Sequence, residues 1–137
     1  MILINIIFFI VKQTSNKTMT TSSEFKSLQS FYLYYLTEHS HPTSRRLHFI
    51  GTTLFIVVFI FAIIMKIWWL IPVSIVSAYT FAWVGHFYFE KNKPATFKYP
   101  FYSLASDFIM LFHMLTGQLR QKLEEAENHF STKQNSV

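Results

Sequence analysis

The sequence predicts an all-α fold: an integral membrane helical bundle with a tight two-helix transmembrane hairpin, an N-terminal amphipathic helix and a third apolar helix. Two observations lead to this prediction. Two runs without any charged residue, 49–65 and 67–85, are separated by Lys66 alone. The chain is also 51% hydrophobic and only 14% charged, and its 3 Gly and 4 Pro favour a few long helices over many short strands.

Composition excludes several classes of function. With 137 residues the chain has room for one domain, and the absence of Cys excludes disulfides, thiolate metal sites and Cys nucleophiles. The net charge is +5, but the basic residues flank apolar runs instead of alternating with aromatic residues on a soluble domain. This pattern is typical of membrane topology, and we expect no nucleic-acid binding.

The first residues, 1–18, begin with an apolar run that is too short to span a bilayer, which requires about 20 residues in a helix. The run has no basic start and no small-residue cleavage site, as a signal peptide would have. Because Met19 offers a second start, we interpret 1–18 as a mis-assigned or dispensable extension; the alternative is a hydrophobic anchor. Residues 19–119 then form the membrane domain and 120–137 a polar C-terminal tail.

A first helix is predicted from Ser22 or Ser23, either of which could serve as its N-cap. Pro42 disfavours helix at His41 and ends it. The apolar residues between these limits recur at three- and four-residue spacing, which indicates an amphipathic helix at the membrane interface. They are Phe25, Leu28, Phe31, Tyr32, Tyr35 and Leu36.

The two uncharged runs are each roughly 25–30 Å long as helices, close to the thickness of a bilayer core. Since only Lys66 separates them, the second helix turns back sharply beside the first. Trp68 and Trp69 follow at the turn, where indole side chains favour the lipid–water boundary. The alternative, one continuous buried helix, would place Lys66 at the membrane centre at high cost.

A third apolar segment, Phe101 to Leu119, is interrupted by Asp107 and His113. It reads either as a third spanning helix or as a buried half-span, and the residues from Arg120 onward read as a polar, charged helix. Both interruptions are ionisable groups, which inside a membrane protein commonly mark function.

Basic residues gather at one end of the hairpin. Arg45 and Arg46 precede the first run, and Lys91 and Lys93 follow the second, whereas the turn carries Lys66 alone. The positive-inside rule therefore places the open end of the hairpin on the cytoplasmic side.

Ionisable residues converge at that same end. His48 opens the first run and His86 closes the second, so an antiparallel pair brings them to one depth, and Glu90 lies one helical turn after His86. His39 and His41 come just before, and Asp107 and His113 come from the third segment. A single polar residue at a helix end is more commonly a cap, but the group as a whole favours a metal site. Neutral imidazoles bind Zn, Fe, Cu or Ni, and two His with a carboxylate and open positions suit non-haem Fe(II). His129 lies in the polar tail, and we expect no role for it.

Four motifs resemble those of the Mpo1-like family, also described as DUF962, over roughly residues 25–117. They are Tyr35-Leu36-x-x-His39; His48-x-x-Gly51-Thr52; Trp83-x-Gly85-His86-x-x-x-Glu90-Lys91-x-x-Pro94-Ala95; and Pro100-x-x-Ser103-Leu104 with Asp107 and Met110.

The resemblance implies an Fe(II)-dependent membrane dioxygenase that removes one carbon from 2-hydroxy fatty acids using O2, as in fatty acid α-oxidation. It implies His39, His48 and His86 as metal ligands and catalytic residues and carries over Glu90 as a motif residue whose role it leaves open. Because Glu90 lies one helical turn after His86, we expect it to join the catalytic site as a fourth ligand or a partner that orients one. The lipid bilayer is the expected surroundings: the inner membrane of a bacterial cell or the endoplasmic reticulum of a eukaryotic one, with the metal site towards the cytoplasmic face. The alternative is a non-enzymatic membrane scaffold or assembly protein, whose His and Glu residues merely join helix ends.

Overall fold

The computed structural model describes residue 25 and residues 27–134, and these residues form helices and connections without any strand. The predictions for residues 1–18 and for a cap at Ser22 or Ser23 lie outside the described residues. The elements are α1 (Leu28–Glu38), α2 (Pro42–Met65), α3 (Leu70–Val84), a π-helical segment (Gly85–Glu90), a 3₁₀ turn (Ala95–Phe97), α4 (Pro100–Leu115) and α5 (Leu119–Gln134).

Helix α1 begins at Ser27, whose side chain accepts a hydrogen bond from the Ser30 N–H at 3.2 Å, as an N-cap does. The predicted amphipathic character is not confirmed, because the buried side chains include three consecutive residues and so lie on more than one side of the helix. The buried residues are Phe31, Tyr32, Leu33, Tyr35 and Leu36. They form a core with Met110 of α4 and Ala126 of α5.

Helices α2 and α3 pack against each other in opposite directions. Gly51 in α2 lies so close to α3 that a Cβ there would be 3.0 Å from Phe81 Cβ, and Gly85 lies beside Ser44 near the other end. Helix α2 ends at Met65 because Lys66 adopts the left-handed conformation, with φ of 56°. Pro42 at the first turn of α2 explains why this helix starts earlier than the uncharged run.

Two helices, Pro42–Met65 and Leu70–Glu90, are long and apolar enough to cross a membrane. Most of their apolar side chains face outward, including Val57, Ile64 and Val76, each at least 59% exposed. A soluble protein seldom leaves so large an apolar surface uncovered.

The third apolar segment forms α4, which ends at Leu115, before a left-handed Gly117 with φ of 72°. Its buried residues, Ser103, Ser106, Met110 and Leu111, follow the i, i+3, i+7, i+8 pattern of a single helix face. The segment predicted as a polar tail is helix α5, and it packs on α1 through Ala126. The charged residues of its surface ion pairs, Arg120–Glu124 and Lys122–Glu125, made the segment look polar on all sides in the sequence. No observation tests the boundary at residue 120, which stays a prediction.

Candidate metal centre

Three histidines from three different elements meet inside the protein. His39 is the C-cap of α1, His48 lies in α2, and His86 lies in the π-helical segment. All three are buried, and one ligand nitrogen from each lies within 4.8 Å of the other two. The Nε2 atoms of His39 and His48 are 3.1 Å apart. Among the described residues, this group could hold a metal ion.

The outward nitrogen of each imidazole has an oxygen partner. The Nδ1 distances are 2.6 Å from His39 to the Tyr35 carbonyl, 2.7 Å from His48 to Asp107 Oδ1, and 2.8 Å from His86 to Asn92 Oδ1. An acceptor at Nδ1 favours the proton there and leaves the Nε2 lone pair free, which is the arrangement of metal-bound histidines.

The donor set fits a transition-metal cation. With both Nδ1 atoms protonated, the Nε2 atoms of His39 and His48 bring two lone pairs within 3.1 Å, with no proton between them. A cation between the rings would relieve this contact. Burial, followed by the neighbouring His48 and His86, lowers the pKa of His39 well below its ordinary value, so the neutral ligand form is favoured.

Asp107 and Tyr35 support His48 from behind. The Tyr35 hydroxyl donates a hydrogen bond to Asp107 Oδ1, the same oxygen that faces His48 Nδ1. Burial, followed by the nearby Asp107, raises the pKa of Tyr35 well above its ordinary value, so this hydroxyl stays protonated and remains a donor. Sequence reasoning placed Asp107 near the site but gave it no contact.

Asn92 supports His86 and was missed by sequence reasoning. Its Nδ2 donates to the main-chain and side-chain oxygens of Glu38, both at 3.0 Å, which directs Oδ1 towards His86. Its own N–H donates to the His86 carbonyl at 3.2 Å. An Asn in a charged loop before Pro94 usually indicates a turn, so the sequence gave little signal for this role.

Glu90 lies beside the connection between α1 and α2. Its Oε2 accepts from Ser40 Oγ at 3.0 Å and its Oε1 from the His41 N–H at 2.9 Å. The three-histidine group does not include Glu90, and its role as a fourth ligand stays a prediction. Arg45 braces the same connection by donating to the carbonyls of His39 and Ser40.

The other two candidates from this face do not join the group. His113 contacts the Tyr32 hydroxyl at 2.8 Å through Nδ1, on the side of α4 that faces α1. His41 accepts from the Thr43 N–H at 3.1 Å and caps α2.

A cavity of about 220 Å³ adjoins His48, one of the three histidines. His48 and Asp107 form its polar end, and the other walls are mostly apolar. The lining residues come from α2, α3 and α4 and include Thr52, Phe55, Ala78, Ala82, Leu104 and Phe108. The site therefore combines a candidate metal centre with an adjacent apolar space.

Comparison with known proteins gives one match. The sequence model of a family described as "2-hydroxy-palmitic acid dioxygenase Mpo1-like" matches residues 25–119. No curated protein and no solved structure gives a significant match. The matched range includes the three histidines and the residues that contact their outward nitrogens.

Proposed function

The chain belongs to the Mpo1-like family, and from this premise we propose that it is a membrane-bound, Fe(II)-dependent dioxygenase that shortens 2-hydroxy fatty acids by one carbon. The observation that carries the proposal is the group of buried His39, His48 and His86, each with an oxygen partner on its outward nitrogen, beside an apolar cavity. A polar centre next to an apolar space suits a substrate with a carboxylate head and an alkyl tail.

The three ligands are neutral, so they leave the charge of a divalent ion uncompensated. The carboxylate and α-hydroxyl of a 2-hydroxy acid are oxygen donors that complement such a centre. Fe(II) held there would supply open coordination positions and the redox chemistry that O2 requires. Asp107 and Asn92 hold His48 and His86 in orientation.

The overall reaction balances without a further oxidant. One 2-hydroxy acid and one O2 give the acid that is one carbon shorter, CO2 and water. The bond between C1 and C2 breaks, C2 becomes the new carboxyl carbon, and O2 accepts the electrons. The protein must therefore hold the head of the substrate at the histidines and admit O2, which the apolar walls of the cavity favour.

The bilayer is part of the proposal. We propose that α2, together with α3 and the π-helical segment, forms a transmembrane hairpin, whose outward apolar side chains face lipid. Exposed Trp68 and Trp69 mark the end at the turn, and Arg46, Lys91 and Lys93 mark the end that carries the histidines. This charge asymmetry supports a cytoplasmic orientation of the metal centre.

The test is iron loading of the purified full chain without oxygen, followed by 2-hydroxypalmitic acid and O2, with products identified by mass spectrometry. We expect about one iron per chain and the fatty acid that is one carbon shorter. His48→Ala and His86→Ala should each abolish both results, yet still insert into membranes, because insertion depends on the apolar runs.

His129→Ala is the control, since this side chain lies in α5, away from the three-histidine group. Full iron occupancy and turnover in both site variants would contradict the shared centre. A purified chain that binds no metal and is as stable as before would favour the scaffold alternative.

A further inference from the structure

The cavity beside the histidines is a cleft between two helices. Helices α3 and α4 both pack against α2, but they make hardly any direct contact with each other. The space between them is the cavity, with α2 as its floor. Leu104 and Ile75 form its rim and are 43% and 42% exposed. In a bilayer this rim faces lipid chains, so the cleft is open to a molecule that is already dissolved in the membrane.

The chemistry of the cleft changes along its length. His48 and Asp107 lie at the metal end, and Phe55 lies two helical turns further along α2, about 10 Å away. Between these ends the α3 wall is formed by Ile75, Ala78, Tyr79 and Ala82. The two alanines leave space, whereas Tyr79 contributes a larger ring with a hydroxyl group. One polar end and a mostly apolar wall about 10 Å long match the carboxyl head and roughly the first eight carbons of a single-chain fatty acid whose head lies at His48.

Aromatic rings close the far end. Phe55 and Phe108 meet with ring centroids 6.0 Å apart at an angle of 63°. Phe59 stacks behind Phe55 at 5.5 Å and supports it. A ring held from behind cannot move aside as easily as a lone flexible side chain, so the end of the cleft resists a longer occupant.

We propose that Phe55 and Phe108 form the end wall of an acyl-chain cleft and thereby set the chain length of the 2-hydroxy acid that the site accepts. This inference rests on the proposed function, whose substrate class it narrows. Chains that reach the rings fill the apolar wall, whereas longer chains must displace the rings or bend out past Leu104 and Ile75.

The experiment is anaerobic competition binding on the full chain loaded with Fe(II), so that binding is measured without turnover. A 2-hydroxyoctanoic acid with a diazirine near its methyl end is the probe, because the roughly 10 Å between His48 and Phe55 holds about eight carbons. The competitors are 2-hydroxyoctanoic, 2-hydroxypalmitic and 2-hydroxylignoceric acids. We expect the probe to label peptides that contain Phe55 or Phe108, and the competitors to differ in potency.

Changes at the wall should move that preference in both directions. Phe55→Ala and Phe108→Ala should shift relative affinity towards the longest acid by about tenfold, because overpacking against the rings is removed. Ala78→Leu should shift it towards the shortest acid, because the added side chain fills the cleft. Phe61→Ala is the matched control, since Phe61 lies on α2 with 50% exposure outside the cleft and should change nothing.

Phe55→Leu removes the ring and so shortens the wall, but it keeps an apolar side chain and guards against loss of folding in the alanine variants. Unchanged length preference in Phe55→Leu, Phe108→Ala and Ala78→Leu, or labelling confined to outward-facing residues such as Val57, would overturn the proposal. So would failure of all three acids to compete. A protein that prefers one chain length but shows no turnover would contradict the dioxygenase and still support the end wall. A protein that turns over substrate without any length preference would support the dioxygenase and overturn the end wall.

Discussion

At the scale of single residues, the site depends on which nitrogen of each imidazole carries the proton. Carbonyl, carboxylate and amide oxygens face the three outward nitrogens, which favours the proton there and leaves a lone pair on the other nitrogen of each ring. One ligand nitrogen of each histidine lies within 4.8 Å of the other two. His48 and His86 could be placed together from the sequence, because two antiparallel runs of similar length bring their outer ends to one depth. The contact between Asn92 and His86 could not be predicted, because it depends on the direction in which the chain leaves the π-helical segment.

The residues behind the histidines should therefore control metal affinity. We expect Asn92→Ala and Asp107→Ala each to lower iron affinity by about 10–100-fold, because the rings lose the partners that fix their orientation. Asp107→Asn should lower iron affinity less, since the amide oxygen can still accept a hydrogen bond from His48 Nδ1. Competition with a chelator of known affinity measures the effect.

Asn128→Ala is the matched control for Asn92→Ala, since Asn128 lies in α5 outside the three-histidine group. Equal affinities in Asn92→Ala, Asp107→Ala and the unchanged protein would show that the outer partners do not orient the ligands.

At the scale of helices, apolar runs predicted the long elements well and periodicity predicted the others less well. The first run ends at Met65 both in the sequence and in the structure, since Lys66 interrupts it and takes the left-handed conformation. The spacing of apolar residues predicted that α1 buries a single face. Leu33, which lies outside that stripe, is also buried, because α1 packs against both α4 and α5. The π-helical segment was not predicted, because its wider turn does not follow the 3.6-residue period of an α-helix.

The contact between the helices at the site depends on Gly85. A Cβ at this position would lie 2.9 Å from Ser44 Oγ, and Ser44 is fully buried. We expect Gly85→Ala to destabilise the protein by about 1–3 kcal/mol and to weaken iron binding, because it separates α2 from His86. Thermal unfolding in detergent and iron titration measure the two effects.

Adding Ser44→Ala to Gly85→Ala should restore much of the loss, since Ser44 Cβ lies at an ordinary 3.6 Å from the added carbon. The single Ser44→Ala change should be mild, because the hydroxyl it removes has no hydrogen-bond partner within the described structure. No recovery in the double variant would mean that Gly85 matters for another reason.

At the scale of the whole molecule, most of the packed core lies among α1, α4 and α5, while α2 and α3 present apolar side chains to the surroundings. Aromatic residues are exposed at both ends of the helix pair α2 and α3: Trp68 and Trp69 at the connection, and Tyr88 at the end that carries the histidines, with Phe101 of α4 exposed as well. Such pairs of aromatic belts are typical of a protein in a bilayer. The two uncharged runs predicted helices with outward apolar side chains, whereas the core among α1, α4 and α5 and the cleft between α3 and α4 required coordinates.

Because the chain has no Cys, a single introduced thiol reports topology directly. We expect Lys66→Cys to react with a membrane-impermeant maleimide only from the non-cytoplasmic side, since the basic residues lie at the opposite end of the hairpin. Lys93→Cys is the matched control and should react with the maleimide only from the cytoplasmic side. Labelling of Lys66→Cys from the cytoplasm alone would contradict the topology.

Residues 1–18 are expected to be dispensable, since their apolar run is too short to span a bilayer. A variant that begins at Met19 should insert, bind iron and turn over substrate as the full chain does. Membrane fractionation and iron content measure this result, and loss of insertion would instead identify the segment as an anchor.

The π-helical segment makes this face sensitive to the number of residues as well as to their identity. Phe87, Tyr88 and Phe89 are all exposed, so substitutions among apolar residues there disturb little packing. A one-residue deletion there can be absorbed, because the wider π-helical turn then becomes an ordinary α-helical turn with nearly the same total rotation. An added residue has no such outlet and would rotate the following chain by about 100°. Asn92 would then leave His86, although every residue that contacts the histidines was still present. Homologous chains can therefore vary in composition at 87–89, but an insertion there separates the ligand from the amide that orients it.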